Sequence, residues 1–301
     1  MIDASRFDFG FINPAPGGGF IAYQTSARLR FLDVAAKTST NPVDLGPGYA
    51  HAGGSWTPHA DRFATATGSQ VRVWDPHSGR LVRTSQPFAG PLSEIDYSTD
   101  GSRLAVGEVS GRVTLLDADS LKPVGKPVDL GTYICCVSAG PDNRTVIALI
   151  GGSSSQSDDF SEFSDRWATM DLVSGRVLDG GRLGIGGNWV SASPDGAHAA
   201  VAGGNGEVLL LDLASGTAAG PPVTAHDDVT NLVVFSKDGS RLASAAWDGT
   251  VVLWDGRTGA LLGRVVAPSR IPASAEFLPD GKDVLLATYD RAVYRLSLIH
   301  I

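Results

Sequence analysis

The sequence predicts an all-β fold, a seven-bladed β-propeller of four-stranded antiparallel blades, and two repeating features lead to this prediction. A strand-like run that closes on a polar residue, usually Asp, recurs about every 42 residues. Each unit also contains several short strand-like runs separated by turn residues, which is typical of propeller blades. The predicted third strands end near Asp33, Asp75, Asp117, Asp171, Asp212, Asp255 and Ser297. We therefore expect one propeller domain over residues 1–295.

The turns support a meander of hairpins within each repeat. Asp100-Gly101 and Asp238-Gly239 follow predicted first strands, and Asp248-Gly249 follows a predicted second strand. Such pairs tolerate the positive φ that a tight hairpin needs. The 37 Gly and 17 Pro residues of the 301-residue chain fit a fold that turns every few residues.

Composition and hydropathy argue against two kinds of partner, nucleic acid and a membrane. The net charge of −8 argues against nucleic acid as the main ligand, since backbone phosphates are bound by clustered Lys and Arg. No apolar run reaches the roughly 18 residues of a membrane span, so we expect no membrane contact by this segment.

Cys135 and Cys136 are neighbours in a predicted strand. Adjacent side chains of a strand point to opposite faces, and a disulfide between neighbours would be strained. We interpret one or both as small buried hydrophobic residues, in preference to a redox or metal site. This use of cysteine is compatible with a reducing, cytoplasmic location.

Two dipeptides, Trp74-Asp75 and Trp254-Asp255, resemble the motif that names the WD-repeat (WD40) family. The resemblance covers essentially the whole chain at the level of the repeat. It implies a hydrogen-bonded structural set in the sixth repeat, formed by His226, Ser244, Asp248 and Trp254. The second repeat retains only Thr65 and Trp74 of this set. The remaining repeats have Leu or Met in place of the Trp, so we expect apolar packing to hold them.

His226, Ser244 and Asp248 could also be interpreted as a hydrolase triad, but the family buries these positions for structure. No Gly-x-Ser-x-Gly elbow, zinc-spaced His pair or calcium loop occurs in the sequence. The glycine runs Gly17–Gly19 and Gly184–Gly187 are interpreted as turns between strands, without the helix that a phosphate cradle needs. We therefore expect no catalytic, cofactor or metal site.

An insertion of about a dozen residues, Ser153–Asp165, separates the second and third strands of the fourth repeat. Its acidic and aromatic side chains are candidates for binding a basic protein partner. Trp247, which we expect on the same face of the propeller, is a further candidate. A solvated loop without fixed structure is the alternative. The candidate residues are Asp158, Asp159, Phe160, Glu162, Phe163, Asp165 and Trp247.

The end of the chain and its composition suggest a fragment. Residues 296–301 match the translation of a transposon end used in sequencing libraries, so we interpret them as an adaptor-derived tail and the last blade as incomplete. Only five of 24 basic residues are Lys, which favours a GC-rich bacterial parent. Such chains resemble the propellers of multidomain bacterial signalling proteins.

The predicted function is a non-catalytic protein–protein interaction scaffold. One alternative is the sensor or docking propeller of a larger bacterial signalling ATPase, kinase or transcriptional regulator. A second alternative is a propeller enzyme such as a lactonase, which would need convergent carboxylates or His on the inner strands.

Overall fold

The computed structural model describes residues 10–25, 28–45, 54–151, 163–267, 271–290 and 292–298. In these ranges the chain forms strands and turns and no helix. Neighbouring strands pair antiparallel in hairpin order, so the predicted all-β propeller class is confirmed. None of the described residues forms a helix long and apolar enough to cross a membrane.

The described strands group into six sheets, numbered here in chain order. Sheet 1 contains β1 (Gly10–Pro14), β2 (Phe20–Thr25), β3 (Arg28–Asp33), β4 (Thr38–Ser39) and β5 (Val43–Asp44). Sheet 2 contains β6 (Gly54–Trp56), β7 (Phe63–Thr67), β8 (Gln70–Trp74) and β9 (Leu81–Thr84). Sheet 3 contains β10 (Leu92–Tyr97), β11 (Arg103–Glu108), β12 (Arg112–Asp117) and β13 (Val128–Asp129).

The second half of the chain forms the other three sheets. Sheet 4 contains β14 (Ile134–Ala139), β15 (Thr145–Ile150), β16 (Ser164–Asp171), β17 (Arg176–Ala192), β18 (His198–Gly203), β19 (Glu207–Asp212), β20 (Thr217–Ala218) and β21 (Val223–Thr224). Sheet 5 contains β22 (Thr230–Phe235), β23 (Arg241–Ala246), β24 (Thr250–Asp255) and β25 (Leu261–Val266). Sheet 6 contains β26 (Pro272–Phe277), β27 (Asp283–Thr288) and β28 (Val293–Ser297).

The predicted division into seven four-stranded blades is wrong. The described strands give five separate blades of three to five strands, and sheet 4 is one continuous sheet of eight strands. The cause is β17, a strand of 17 residues that pairs with β16 through its first part and with β18 through its last part. The fourth and fifth predicted repeats are therefore joined by hydrogen bonds, without a break between sheets.

The core lies between neighbouring sheets. Sheets 2 and 3, for example, bury Ala66 and Val73 against Ile95 and Leu104. The same small and branched side chains fill the other contacts, because the faces of two packed sheets must interdigitate closely.

Sheets 1 and 6 also pack on each other and close the ring. Ile12, Ile21 and Tyr23 of sheet 1 form one buried cluster with Ala287 of β27. In addition, Ser274 of β26 donates a hydrogen bond to the Ile12 carbonyl. Strands from the two ends of the described chain thus meet by side-chain packing.

Two further expectations change with the structure. Gly184–Gly187 lies inside β17 and not in a turn between strands. Cys135 and Cys136 do not point to opposite faces, because a β-bulge between Ile134 and Cys136 brings their Sγ atoms within 3.4 Å of each other.

The predicted adaptor-derived tail begins within the last sheet. Leu296 and Leu298 are buried in the cluster between sheets 5 and 6, and Ser297 ends β28. Residues 299–301 lie outside the described ranges, so the adaptor origin of the tail stays a prediction.

Turn glycines provide a stringent test of this fold. Gly206 has φ +81° in the turn between β18 and β19, and a Cβ there would lie 2.1 Å from the His226 carbonyl oxygen. Gly68 has φ +58° in the β7–β8 turn, with open space around it. We expect Gly206→Ala to lower the free energy of unfolding by about 2 kcal/mol or more, and Gly68→Ala by about 1 kcal/mol, the cost of a left-handed residue alone. Urea unfolding of both variants measures this difference, and equal losses would contradict the close contact at Gly206.

Candidate functional site

We define the upper face of the propeller as the end where the chain enters each inner strand. In an antiparallel meander the turn between the second and third strands lies at this same end. Accordingly, His226, which precedes β22, contacts Thr250 at the start of β24. The upper face therefore carries Phe163 and Asp165 from the end of the fourth-repeat insertion, Trp247 and the sixth-repeat polar set.

The sixth-repeat set is a continuous chain of hydrogen bonds. Trp254 Nε1 donates to Ser244 Oγ at 2.9 Å. Ser244 Oγ lies 2.7 Å from His226 Nε2, and His226 Nδ1 lies 2.6 Å from Thr250 Oγ1. Thr250 Oγ1 then donates to Asp248 Oδ1 at 2.6 Å. Since Ser244 accepts from the indole, its hydroxyl hydrogen is free to donate to Nε2, and the neutral imidazole then donates from Nδ1 to Thr250.

Thr250 was not predicted as a member of this set. Asp248 Oδ1 is 3.9 Å from His226 Nδ1, too far for a direct hydrogen bond, and Thr250 fills the gap. Asp248 also accepts from the backbone N–H groups of Asp227 and Thr250, which ties the turn to the incoming chain. The position of Thr250, two residues after Asp248, is the signal that could have indicated its role.

The electrostatics of the set oppose a catalytic role. Burial lowers the pKa of His226 to about 4, although the nearby Asp248 carboxylate acts in the opposite direction. Burial would raise the pKa of Asp248, but hydrogen bonds from Thr250 and Asp227 outweigh it and the pKa is lowered. The Ser244 side chain is completely buried and committed to two partners. A substrate has no access to this hydroxyl, so the arrangement cannot work as a hydrolase triad.

The second repeat has a shorter version of the set. Trp74 Nε1 donates to Thr65 Oγ1 at 3.0 Å, and both residues are buried. A buried indole N–H therefore has a hydroxyl partner in both repeats that carry the Trp-Asp dipeptide.

Phe163 and Asp165 of the predicted partner-binding group lie at the base of the insertion on the upper face. Phe163 packs over two glycines, and a Cβ at Gly204 would lie 2.5 Å from its ring. Asp165 faces Arg182 across 3.6 Å, with both side chains largely exposed. Asp158, Asp159, Phe160 and Glu162 lie outside the described residues.

Trp189 was not predicted as a site residue. It stands in β17 opposite Ala202, near the upper end of β18, with 38% of its surface exposed. Trp247, in the turn between β23 and β24, is half-buried. Trp189 stands near the start of an inner strand, where two other repeats have Glu94 and Cys136. This unusual position for a Trp is the sequence signal that could have indicated a site residue.

A second polar feature lies on the inner strands. Asp96 of β10, four positions before the hairpin Asp100, shows it best, and Glu276 of β26 holds the same position before Asp280. The Asp96 carboxylate accepts from Ser55 Oγ at 3.3 Å, Ser138 Oγ at 3.2 Å and the Ala139 N–H at 3.0 Å. The side chain of one inner strand thus binds the backbone of the next.

This pattern fails at Glu276. The equivalent of Ala139 on the next inner strand is Pro14, which has no N–H to donate. No hydrogen-bond partner of the Glu276 carboxyl occurs among the described residues. Burial first, and then the charge of Asp96, raise the pKa of Glu276 to about 8. Burial likewise raises the pKa of Asp96 to about 6, against the effect of its hydrogen bonds.

Because like charges repel, the carboxyls of Asp96 and Glu276 disfavour the state in which both are ionised. Within the described ranges, no cluster of three or more His, Cys, Asp or Glu side chains is arranged to hold a metal ion. The spacing of four residues before Asp100 and Asp280 could have revealed the pair in the sequence.

The sixth-repeat set should contribute strongly to stability. We expect Trp254→Ala to lower the free energy of unfolding by roughly 3–5 kcal/mol, as for other large core aromatics. Ser244→Ala should cost roughly 1–3 kcal/mol for each partner that it leaves unsatisfied, namely the Trp254 N–H and the His226 ring. Trp189→Ala, at an exposed position, is the control and should cost less than about 1 kcal/mol. Urea denaturation checks all three, and a loss below about 1 kcal/mol for Trp254→Ala would contradict the structural role.

Glu276 should make stability fall as the pH rises. The folded chain keeps the Glu276 proton up to about pH 8, whereas the unfolded chain loses it near 4.5, so the unfolded chain binds fewer protons in between. The free energy of unfolding should therefore decrease from about pH 5 to about pH 8. The decrease is about 1.4 kcal/mol for each pH unit between the unfolded-state and folded-state pKa values. Glu276→Gln removes this dependence, and its stability advantage over the wild type should grow across the same range. Thermal unfolding at a series of pH values tests this, and parallel curves would contradict it.

Comparison with known proteins relates the sixth-repeat set to a repeat family. The WD domain, G-beta repeat family matches residues 221–255, which include the whole sixth-repeat set. WD repeat-containing protein 1 of Xenopus tropicalis is 26% identical over 63% of this chain, and THO complex subunit 3 of Arabidopsis thaliana is 38% identical over 23%. These matches cover 30% and 22% of the two relatives, so the chain corresponds to a minor part of each.

A solved structure supports the fold over nearly the full length. Kuenenia stuttgartiensis hydrazine synthase aligns with a TM-score of 0.76 over 98% of this chain and 97% of that chain, at 17% identity. At this identity the likeness concerns the fold alone. The repeat match, the WD-repeat relative and the propeller architecture together support a WD-repeat (WD40) β-propeller family for this chain.

Proposed function

We propose that this chain is a non-catalytic scaffold that binds a protein partner on its upper face. The observation that supports this most directly is Trp189, a large aromatic side chain held exposed on a paired strand. Exposed Trp residues are among the side chains that contribute most to protein interfaces. WD-repeat propellers generally mediate protein interactions, which agrees with this proposal.

The position of Trp189 favours a preorganised interface. Its backbone pairs with Ala202, and the adjacent Val190 is buried in an apolar cluster that includes Leu149. A rigid aromatic anchor loses little conformational entropy on association, so more of its contact energy appears as affinity. Phe163 packs against Gly186 of β17, three residues before Trp189, so the base of the insertion lies beside Trp189.

The charge of this region favours a basic partner. Asp165 is 57% exposed, and its distance of 3.6 Å from the more exposed Arg182 makes a weak ion pair at most. The acidic residues Asp158, Asp159 and Glu162 precede it in the sequence. A partner segment with Lys or Arg around an aromatic or aliphatic residue would complement both the charge and Trp189.

An enzymatic propeller is the second candidate, and the carboxyls of Asp96 and Glu276 on inner strands are the observation that favours it. WD-repeat proteins are generally non-enzymatic, while hydrazine synthase is by its name an enzyme. Two carboxyls without a third ligand, one of them hydrogen-bonded to three partners, do not make a recognisable catalytic set. The sensor role in a larger bacterial signalling protein stays a prediction.

A displayed random peptide library tests the proposal without a known partner. We expect the immobilised propeller to enrich basic peptides with an aromatic or aliphatic anchor. Trp189→Ala should lower the affinity for a synthetic copy of the best peptide by about tenfold or more, which corresponds to the loss of about 1.4 kcal/mol or more expected for an interface anchor. Lys237→Ala, in an exposed hairpin on the opposite face, is the matched control and should leave the affinity unchanged.

The other outcomes contradict the proposal. Enrichment of acidic peptides would reject the basic partner. Enriched peptides that lose affinity with Lys237→Ala but not with Trp189→Ala would place the interface on the opposite face. Failure to enrich any peptide, together with hydrolysis of a lactone panel that Glu276→Gln abolishes, would favour the enzyme.

A further inference from the structure

Cys135 and Cys136 form a pair of free thiols that the proposed function does not use. The bulge at the start of β14 turns both side chains to one side, and their Sγ atoms are 3.4 Å apart. Both sulfurs also approach the Asn188 carbonyl oxygen, at 3.4 Å for Cys135 and 3.7 Å for Cys136. The pair therefore lies against β17 near the upper face.

The two thiols differ in exposure and acidity. Cys135 is partly exposed, whereas Cys136 is buried. Hydrogen bonding from the Cys136 thiol lowers the pKa of Cys135, and burial raises the pKa of Cys136. Ser164 is fully buried, its hydroxyl lowers the pKa of the Cys135 thiol, and its Oγ makes no hydrogen bond in the described part of the chain. Cys135 is thus the more exposed residue of the pair and its thiol the more acidic, with the Cys136 sulfur 3.4 Å away.

The distance between the sulfurs distinguishes the possible ligands. A disulfide needs about 2.05 Å between sulfurs and usually at least about 4.4 Å between Cα atoms, while neighbouring residues offer only about 3.8 Å. A linear two-coordinate ion with bonds near 2.3 Å would hold the sulfurs about 4.6 Å apart, and a tetrahedral ion would hold them about 3.8 Å apart. A pyramidal atom with bonds of similar length has a narrower angle and would hold the sulfurs closer together than a tetrahedral ion does, nearer the 3.4 Å between the two Sγ atoms.

We propose that Cys135 and Cys136 form a bidentate dithiol site for a thiophilic, pyramidal electrophile of the trivalent-arsenic class. Soft thiolate ligands select soft acceptors, and two adjacent sulfurs already at the required separation lose little freedom when they are bridged. The ligand would sit beside the Asn188 carbonyl, near the exposed Trp189 of the next residue.

The reaction is a condensation without a change of oxidation state. The Cys135 thiolate attacks arsenic in an organic arsenic(III) oxide, and the Cys136 thiol adds to the same atom. Two arsenic–sulfur bonds form, the bond to oxygen breaks, and the two thiol protons leave with that oxygen as water. An excess of a small dithiol reverses the reaction by exchange.

Phenylarsine oxide is a suitable probe of the native chain. Intact mass spectrometry should show one arsenical per chain, with loss of one water and protection of both cysteines from alkylation. Cys135→Ser and Cys136→Ser, each with one thiol, should form no adduct that survives a monothiol wash. Because a ligand that prefers the folded chain stabilises it, the probe should also raise the melting temperature of the wild type but not of the single variants.

Three results would overturn the proposal. The native chain could remain unmodified while the denatured chain reacts, which would show that the folded site is closed. The probe could lower the melting temperature, which would show that it binds the unfolded chain better. The intact mass of the untreated native chain could be lower by the two thiol hydrogens, which would show that Cys135 and Cys136 form a disulfide instead of a dithiol site. If the single serine variants do not fold, protection of both wild-type thiols still tests the proposal.

Discussion

The fold depends on one constraint, which is that each sheet must bury both of its faces against its two neighbours. Small and branched side chains such as Ala66, Val73 and Ile95 meet that requirement, because they allow two twisted sheets to approach and interdigitate. The same packing joins the first sheet to the last through Ile12, Tyr23 and Ala287. A closed arrangement of this kind explains how the upper face can be rigid although it is built from turns. Its loops are anchored by strands that cannot shift without exposing a core on each side.

Polar groups connect the sheets where the apolar packing ends. Asp96 binds hydroxyl and backbone groups of the strands on both sides, and the sixth-repeat chain from Trp254 to Asp248 links the third strand, β24, to an upper turn. Each buried donor in these networks has an acceptor, as a low-dielectric interior requires. Glu276 is the exception, because Pro14 replaces the expected N–H donor, and burial together with the charge of Asp96 raises its pKa. Glu276 is thus a weakly satisfied point among the polar groups of the inner strands.

The repeat period and turn residues were sufficient to predict the all-β propeller and the ends of its third strands. They could not predict the joined eight-stranded sheet, since it depends on β17 continuing through Gly184–Gly187 where turn chemistry favoured a break. The Trp-Asp dipeptides identified His226, Ser244 and Trp254, but Thr250 and the distance to Asp248 needed coordinates. The convergence of Cys135 and Cys136 was missed for a similar reason. A β-bulge overrides the alternation of side chains, and strand periodicity carries no sign of it.

The central claim is that the sheets form one closed, rigid ring that preorganises the upper face. Native-state hydrogen exchange measured by mass spectrometry tests it most directly, because exchange reports the local stability of each strand. Closure predicts that β1 and β26 are protected as strongly as the inner strands β10 and β22, and that the exposed outer strands β9 and β25 exchange faster. Rapid exchange of β1 and β26 beside protected β10 and β22 would contradict the claim, because it would show that the first and last sheets separate in solution.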